Sequence, residues 1–418
     1  MGISKRFLTF HAISLIFISL IAIVLTEVGY RIYLNFVETS QQETLTFNAF
    51  SSSIWQYDEK AGYTYKPSHN MDWVMIIDGL PKRCGSTGTD SHGYVGRGML
   101  PSQEGLEIAV LGDSFSSMAV DGSTWPDFFG DEIQRANQSL PLRIRNLSRD
   151  GYGVLQMIDQ AAGMIASGAM HPDVILIAII GQDLVRHRTW RIEKLKGRTA
   201  EVFYSFDPRL IESPETYNRA ALINPKVTTR WCEELKVSGN RNDATLIELT
   251  AQYKSALAHD QIFDGKRVDL FSVTNCYFCN TLKWGTPYRR GGLGIRSSGG
   301  INFDKYSTDP AFTKGMETIK NAGIPVWLVY LPWEPELRNG KKELKPQEDK
   351  LLKELESYSD RFFDLTPTQP LGEKATALTL LPEDKHPSLD GLRYYGAKGA
   401  RQIYPELLAL SKLRLPRD

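Results

Sequence analysis

From Ile108 onward, short apolar runs rich in β-branched residues alternate with stretches of helical periodicity, and that alternation admits few architectures. Runs that are apolar at every position read as strands covered on both faces, and a helix between successive strands lets them run parallel. Strands are expected at Ile108–Leu111, Arg143–Leu147, Val174–Ile180, Val326–Leu331 and Phe362–Leu365. Helices are expected at about Pro126–Asn137, Leu155–Ser167, Ala311–Ala322, Gln347–Ser357 and Tyr394–Ala409. The predicted fold is an α/β, three-layer, doubly wound parallel sheet, in which ligands would bind outside the carboxyl ends of the strands.

Two regions depart from the alternation. Residues of about 40 to 105 combine aromatics with turn residues, and about 185 to 310 form a long insertion between the third and fourth strands. The insertion carries Trp190, Trp231, Trp284 and the loop Tyr288-Arg289-Arg290-Gly291-Gly292-Leu293-Gly294. It reads either as a cap over the site or as structural elaboration. The remaining large feature is the apolar run from Phe7 to Leu25, long enough at about 1.5 Å per residue to span a hydrocarbon core of roughly 30 Å. Lys5 and Arg6 precede it and would stay cytoplasmic, sending everything after about Arg31 to the far side. A cleaved signal peptide is the competing reading, but Leu25-Thr26-Glu27-Val28-Gly29 offers no small-residue cleavage site.

The expected organisation is a cytoplasmic tail at 1–6, a transmembrane anchor at 7–30, a lead-in region at 31–105, and an α/β domain at 106–418 that contains the insertion. The expected location is the inner membrane, single-pass, with that domain in the periplasm or outside the cell. In such an oxidising compartment Cys84, Cys232, Cys276 and Cys279 are disulfide candidates, with three pairings open. Cys276-Tyr277-Phe278-Cys279 could instead be a redox dithiol, although no βαβ unit is legible around it. A four-thiolate zinc site is disfavoured because Cys84 and Cys232 form no second close pair.

Balanced charge, with 49 Lys+Arg against 49 Asp+Glu, provides no field for a run of phosphates and argues against a nucleic-acid partner. With 42% hydrophobic and 11% aromatic residues, a sizeable core can form, which argues against a disordered chain.

Four segments carry chemistry, each at or near the end of an expected strand or just ahead of the last helix. Gly112-Asp113-Ser114-Phe115-Ser116 follows the first strand, where a serine hydroxyl can face a ligand and the following amides can face an oxyanion. Asp150-Gly151-Tyr152-Gly153 follows the second, and Gly151 can offer a backbone N–H free of side-chain obstruction. Gly181-Gln182-Asp183 follows the third and adds a side-chain amide. In Glu383-Asp384-Lys385-His386-Pro387, a carboxylate two or three positions before a histidine can hold the ring's tautomer while its other nitrogen takes a proton from serine.

In this order, the four segments resemble the sequence blocks of the SGNH/GDSL hydrolase superfamily. Ala61-Gly62-Tyr63-Thr64-Tyr65-Lys66-Pro67 and Thr89-Asp90-Ser91-His92-Gly93-Tyr94 are similar to the lead-in of its bacterial membrane-anchored members. The resemblance implies a serine esterase with no cofactor or metal. Ser114 would be the nucleophile and His386 the base, with Asp384 the preferred orienting acid and Glu383 its rival. The N–H groups of Ser114 and Gly151, with Gln182, would form the oxyanion hole. The expected substrate is an ester or O-acylated carbohydrate, with an envelope protein as a further partner. An O-acyltransferase using the same residues and a non-catalytic carbohydrate-binding scaffold are the alternatives.

At Gln182 the family expects asparagine. An oxyanion donor must lie about 2.7–3.1 Å from the developing charge, and glutamine's extra methylene displaces the amide unless its rotamer folds back. His11, His69, His92, His171, His187 and His259 read as surface or structural residues, and no H-E-x-x-H motif or carboxylate-rich calcium loop is present.

Overall fold

The computed structural model describes residues 14, 18, 21, 22, 24–30, 32, 47–50, 54–58, 62–77, 80–97, 105–186, 189–195, 198–203, 232–233, 305–380 and 385–414. Strands β1 (Phe47–Phe50), β4 (Asn70–Ile77) and β5 (Leu80–Gly88) form one antiparallel sheet, and β2 (Trp55–Asp58) pairs with β3 (Gly62–Tyr65) in a hairpin. The described part of the lead-in region is thus mainly strands. After it come β6 (Leu106–Leu111), the single turn α1 (Ser114–Ser117), α2 (Trp125–Ala136), β7 (Leu142–Asn146), α3 (Val154–Ala166) and β8 (Val174–Ile179). A hairpin of β9 (Thr189–Leu195) and β10 (Arg198–Phe203) opens the insertion. The chain ends with α4 (Pro310–Asn321), β11 (Val326–Tyr330), α5 (Glu334–Asn339), α6 (Pro346–Glu356), β12 (Arg361–Asp364), α7 (Lys374–Ala377) and α8 (Leu389–Arg414).

Five strands make one parallel sheet in the order β12-β11-β8-β6-β7. Helices cover both faces, because alternate side chains of each strand point to opposite sides. Ala109, Leu111, Ile175, Ile177, Ile179, Leu328 and Tyr330 face α3, α4 and α6, where they meet Leu155, Ile158, Phe312, Ile319, Leu351 and Leu355. Ile108, Val110, Leu176, Ala178, Trp327 and Val329 face α2 and α8, where they meet Trp125, Phe129, Ile133, Leu392 and Ile403. Each such side chain contributes about 1.5–3 kcal/mol on burial, so the two cores hold the strand ends rigidly in place.

The five strands lie where the periodicity puts them, within one or two residues. Helices start slightly earlier than expected, and in α2, α4 and α6 a proline serves as a first-turn residue: Asp309 caps α4 by accepting from the N–H groups of Ala311 and Phe312, directly before Pro310. The last helix begins at Leu389 rather than Tyr394. Its glycines obscure it in the sequence, yet they have a packing reason. A Cβ on Gly396 would lie 2.6 Å from Phe128 Cβ and 2.8 Å from Phe129 N, so glycine lets α8 close on α2.

Cys84 on β5 is bonded to Cys232, tying the lead-in region to the insertion. Cys276 and Cys279 lie outside the described residues. The described residues between 14 and 32 are helical, with Ile18, Val24, Leu25 and Ile32 exposed. Among the described residues no helix is long and apolar enough to cross a membrane.

Candidate active site

In this sheet β6 is flanked by β7 on one side and β8 on the other, so the chain passes from β6 outward to β7 and then back across to β8, and a crevice opens at the carboxyl ends where the strand order reverses. The segments after β6, β7 and β8 all reach it. Gly112 turns the chain out of β6 where nothing larger fits: a Cβ there would lie 2.6 Å from Ser116 Oγ and 2.9 Å from the Ala178 carbonyl oxygen. Asp113 then caps α1, its Oδ1 accepting from the Phe115 N–H at 2.8 Å. The turn is pinned from behind, with Trp125 Nε1 donating to Ser116 Oγ at 2.8 Å and Asn146 Nδ2 donating to the Ser116 carbonyl at 2.7 Å.

Ser114, half-buried at the start of this turn, has its Oγ 2.7 Å from His386 Nε2. The histidine arrives from a loop 272 residues away whose ends are clamped. The Leu380 N–H donates to the His386 carbonyl at 2.9 Å, and the Ser388 N–H donates to the Leu378 carbonyl at 2.9 Å. Lys385 Nζ reaches Glu334 Oε2 at 3.2 Å, and the His386 ring lies against Phe115 with centroids 5.3 Å apart. Glu383 and Asp384 lie outside the described residues.

The loop after β7 joins the same turn. The Arg149 N–H donates to the Gly112 carbonyl at 3.0 Å, and Ser117 Oγ donates to Asp150 Oδ1. Gly151 has φ +74°, a left-handed conformation that glycine adopts freely. Neither the Ser114 nor the Gly151 backbone N–H donates to another described residue. Gln182 is exposed on a 3₁₀ turn after β8, and its Oε1 accepts from Arg186 Nη2 at 3.4 Å.

Several charged and hydroxyl groups around this crevice were given no role by the sequence, although Asp113, Asp150 and Asp183 lie within the motif segments. From the lead-in region, Tyr65 is buried with its hydroxyl accepting the Asp150 N–H at 3.0 Å and donating to Ser117 Oγ at 3.3 Å. Arg149 lies 4.7 Å over the Tyr65 ring and donates from Nε to Thr64 Oγ1 at 3.1 Å. Burial, followed by the nearby Asp150 charge, pushes the Tyr65 phenol well up. Burial likewise raises Asp150, against the pull of hydrogen bonds from Ser117 and Tyr65. On the other side, Asp113 and Asp183 are buried around the Arg186 guanidinium, which lies 3.0 Å and 2.6 Å from them. Asp183 sits well above the ordinary carboxylate range through burial and then the Asp113 charge, with Arg186 opposing. For Asp113, Asp150 and Asp183 the visible signal was an acid inside a motif segment at a strand end; Tyr65, Arg149 and Arg186 had none. Their partners come from distant segments, which no local spacing shows.

Elsewhere, His69, His92 and His171 are described, and none of them has a hydrogen bond to Ser114. His11, His187 and His259 lie outside the described residues. Among the described residues no group of three or more His, Cys, Asp or Glu side chains is arranged to hold a metal ion.

No protein-family model matches the chain, and no curated protein matches it. Among solved structures, a single-residue variant of Axe2, an acetyl xylan esterase from Geobacillus stearothermophilus, is 12% identical, with 72% of this chain and 95% of that chain covered and a TM-score of 0.31. The lipase Lip_vut3 from goat rumen metagenome is also 12% identical, over 72% of this chain and 99% of that chain, with a TM-score of 0.28.

Proposed function

We propose that this chain is a serine ester hydrolase of the SGNH/GDSL type that removes an acyl group from an O-acylated carbohydrate. The observation that carries the reading is the 2.7 Å approach of Ser114 Oγ to His386 Nε2, at the carboxyl end of β6. In the reaction, Ser114 Oγ attacks the ester carbonyl carbon while His386 Nε2 takes the hydroxyl proton. The carbonyl π electrons move onto oxygen. That oxyanion is met by the Ser114 and Gly151 N–H groups, which no described residue occupies, and by the Gln182 amide. Collapse of the intermediate expels the sugar alkoxide, which leaves with the proton from His386, and the acyl group stays on Ser114. A water then repeats the sequence, releasing the acid and free serine. Asp384, or its rival Glu383, would orient His386 through Nδ1.

Residues 7–30 would anchor the chain in the inner membrane, with the hydrolase domain on the far side. The exposed apolar side chains of Ile18, Val24, Leu25 and Ile32 support an apolar environment for that helix. The Cys84–Cys232 bond supports an oxidising compartment.

A fluorophosphonate probe applied to the folded protein should label Ser114 and leave Ser114→Ala unlabelled. Hydrolysis of p-nitrophenyl acetate and release of acetate from an acetylated oligosaccharide should vanish in the same variant. A folded wild-type protein that neither labels nor hydrolyses would overturn the proposal.

A further inference from the structure

We infer that Arg186 is the positioning residue of the oxyanion hole, one guanidinium that sets the three donor-bearing segments relative to one another. The inference rests on the esterase reading above and adds to it a residue outside all four motifs.

The contacts are specific. Arg186 Nη1 donates to Asp113 Oδ2 at 3.0 Å, to Asp183 Oδ1 at 2.6 Å and to the Tyr152 carbonyl at 3.4 Å, while Nη2 donates to Gln182 Oε1 at 3.4 Å. Asp113 precedes Ser114 and Tyr152 follows Gly151, so the guanidinium touches Gln182 itself and the chain neighbour of each backbone donor. The loop after β7 also packs on the Arg186 backbone. A Cβ on Gly153 would lie 2.6 Å from both Arg186 Cβ and its carbonyl oxygen, so glycine there permits the approach.

Chemistry then fixes the Gln182 amide. A guanidinium has donors and no acceptor, so the amide atom facing it is the carbonyl oxygen, and the amine is left as a donor. Gln182 is exposed, so its amine stays within reach of a ligand entering from solvent. An amide free to flip would offer an acceptor half the time, and an acceptor repels a developing oxyanion. Arg186 removes that ambiguity, and through Asp113 and Tyr152 it holds the two N–H groups in the same frame.

A purely structural counter-ion for Asp113 and Asp183 would behave differently, and kinetics separates the two roles. The full chain in detergent is assayed with p-nitrophenyl acetate as wild type, Arg186→Lys, Gln182→Ala and the double variant, each checked for folding by circular dichroism. Lysine keeps a cation for the carboxylates but cannot donate from a fork. Each single change should lower kcat about 10²-fold with KM within about twofold, because the loss falls on the transition state. The double variant should fall little further than the worse single, rather than by the product. An active wild type whose two losses multiply, or an Arg186→Lys variant with unchanged kcat, would overturn the inference alone. A folded wild type with no hydrolysis would overturn the esterase reading and this inference with it. Where Arg186→Lys fails to fold, Gln182→Glu decides. It gives the guanidinium an oxygen and removes the amine, so kcat should drop at least as far as in Gln182→Ala, and wild-type turnover would overturn the inference.

Discussion

Replacing Tyr65 by phenylalanine isolates the link between the lead-in strands and the candidate active site. The ring stays, and with it the packing under Arg149, whose guanidinium carbon is 4.7 Å from the ring centre. Only the hydroxyl goes. It accepts the Asp150 N–H at 3.0 Å and donates to Ser117 Oγ at 3.3 Å, while Ser117 still has the Asp150 carboxylate. The main cost is therefore the part-buried Asp150 N–H left without this acceptor and the Asp150 carboxyl left without the phenol, about 1–3 kcal/mol. At a slope of about 3 kcal/mol per M of urea, the unfolding midpoint should drop by about 0.3–1 M. Asp150 adjoins Gly151, so a loosened peptide also shifts that N–H, and kcat should fall about tenfold. Urea titration followed by tryptophan fluorescence, and p-nitrophenyl acetate turnover, are the two measurements. Unchanged midpoint and turnover would mean that the hydroxyl does not hold this loop, and the wiring from β3 to the site would fail.

Gly151→Ala, at φ +74°, should cost about 1–2 kcal/mol in thermal unfolding and lower kcat more than KM, since the Cβ strains the turn that presents its N–H. Cys84→Ser removes a bond that closes 148 residues and should lower stability by about 3–5 kcal/mol in urea, an effect that reductant should reproduce on the wild type. Asp183 is raised in the folded state, so its share of stability is full below the ordinary carboxylate value of about 3.9 and is lost as pH rises through the higher folded value. Asp183→Asn lacks that loss, and its unfolding free energy minus that of the wild type should increase with pH from about 4 upward; a flat difference would refute the assignment.

The five parallel strands were legible because each is buried on both faces and so is apolar at nearly every position, as Val174–Ile179 shows. The lead-in strands were not, since β2 and β3 mix polar and aromatic residues and owe their conformation to pairing. Ser114, Gly151 and His386 could be picked out because each sits in a short segment whose order along the chain is informative. Tyr65, Ser117 and Arg186 could not be assigned a part, since the contacts that tie them to the site, to Asp150, Asp150 and Asp113, lie 85, 33 and 73 residues away. Gln182 was visible as a departure from asparagine, but the reason a longer amide can be held steady is the guanidinium four positions on.

The bond between Cys84 and Cys232 turns the stretch between them into a covalent ring. Ser114, Gly151 and Gln182 belong to that ring, whereas His386 lies on the tail beyond it. A protease cut anywhere inside the ring leaves two pieces that migrate as one until a thiol is added, so gels run with and without reductant would report whether a nicked molecule still carries its serine and its histidine together.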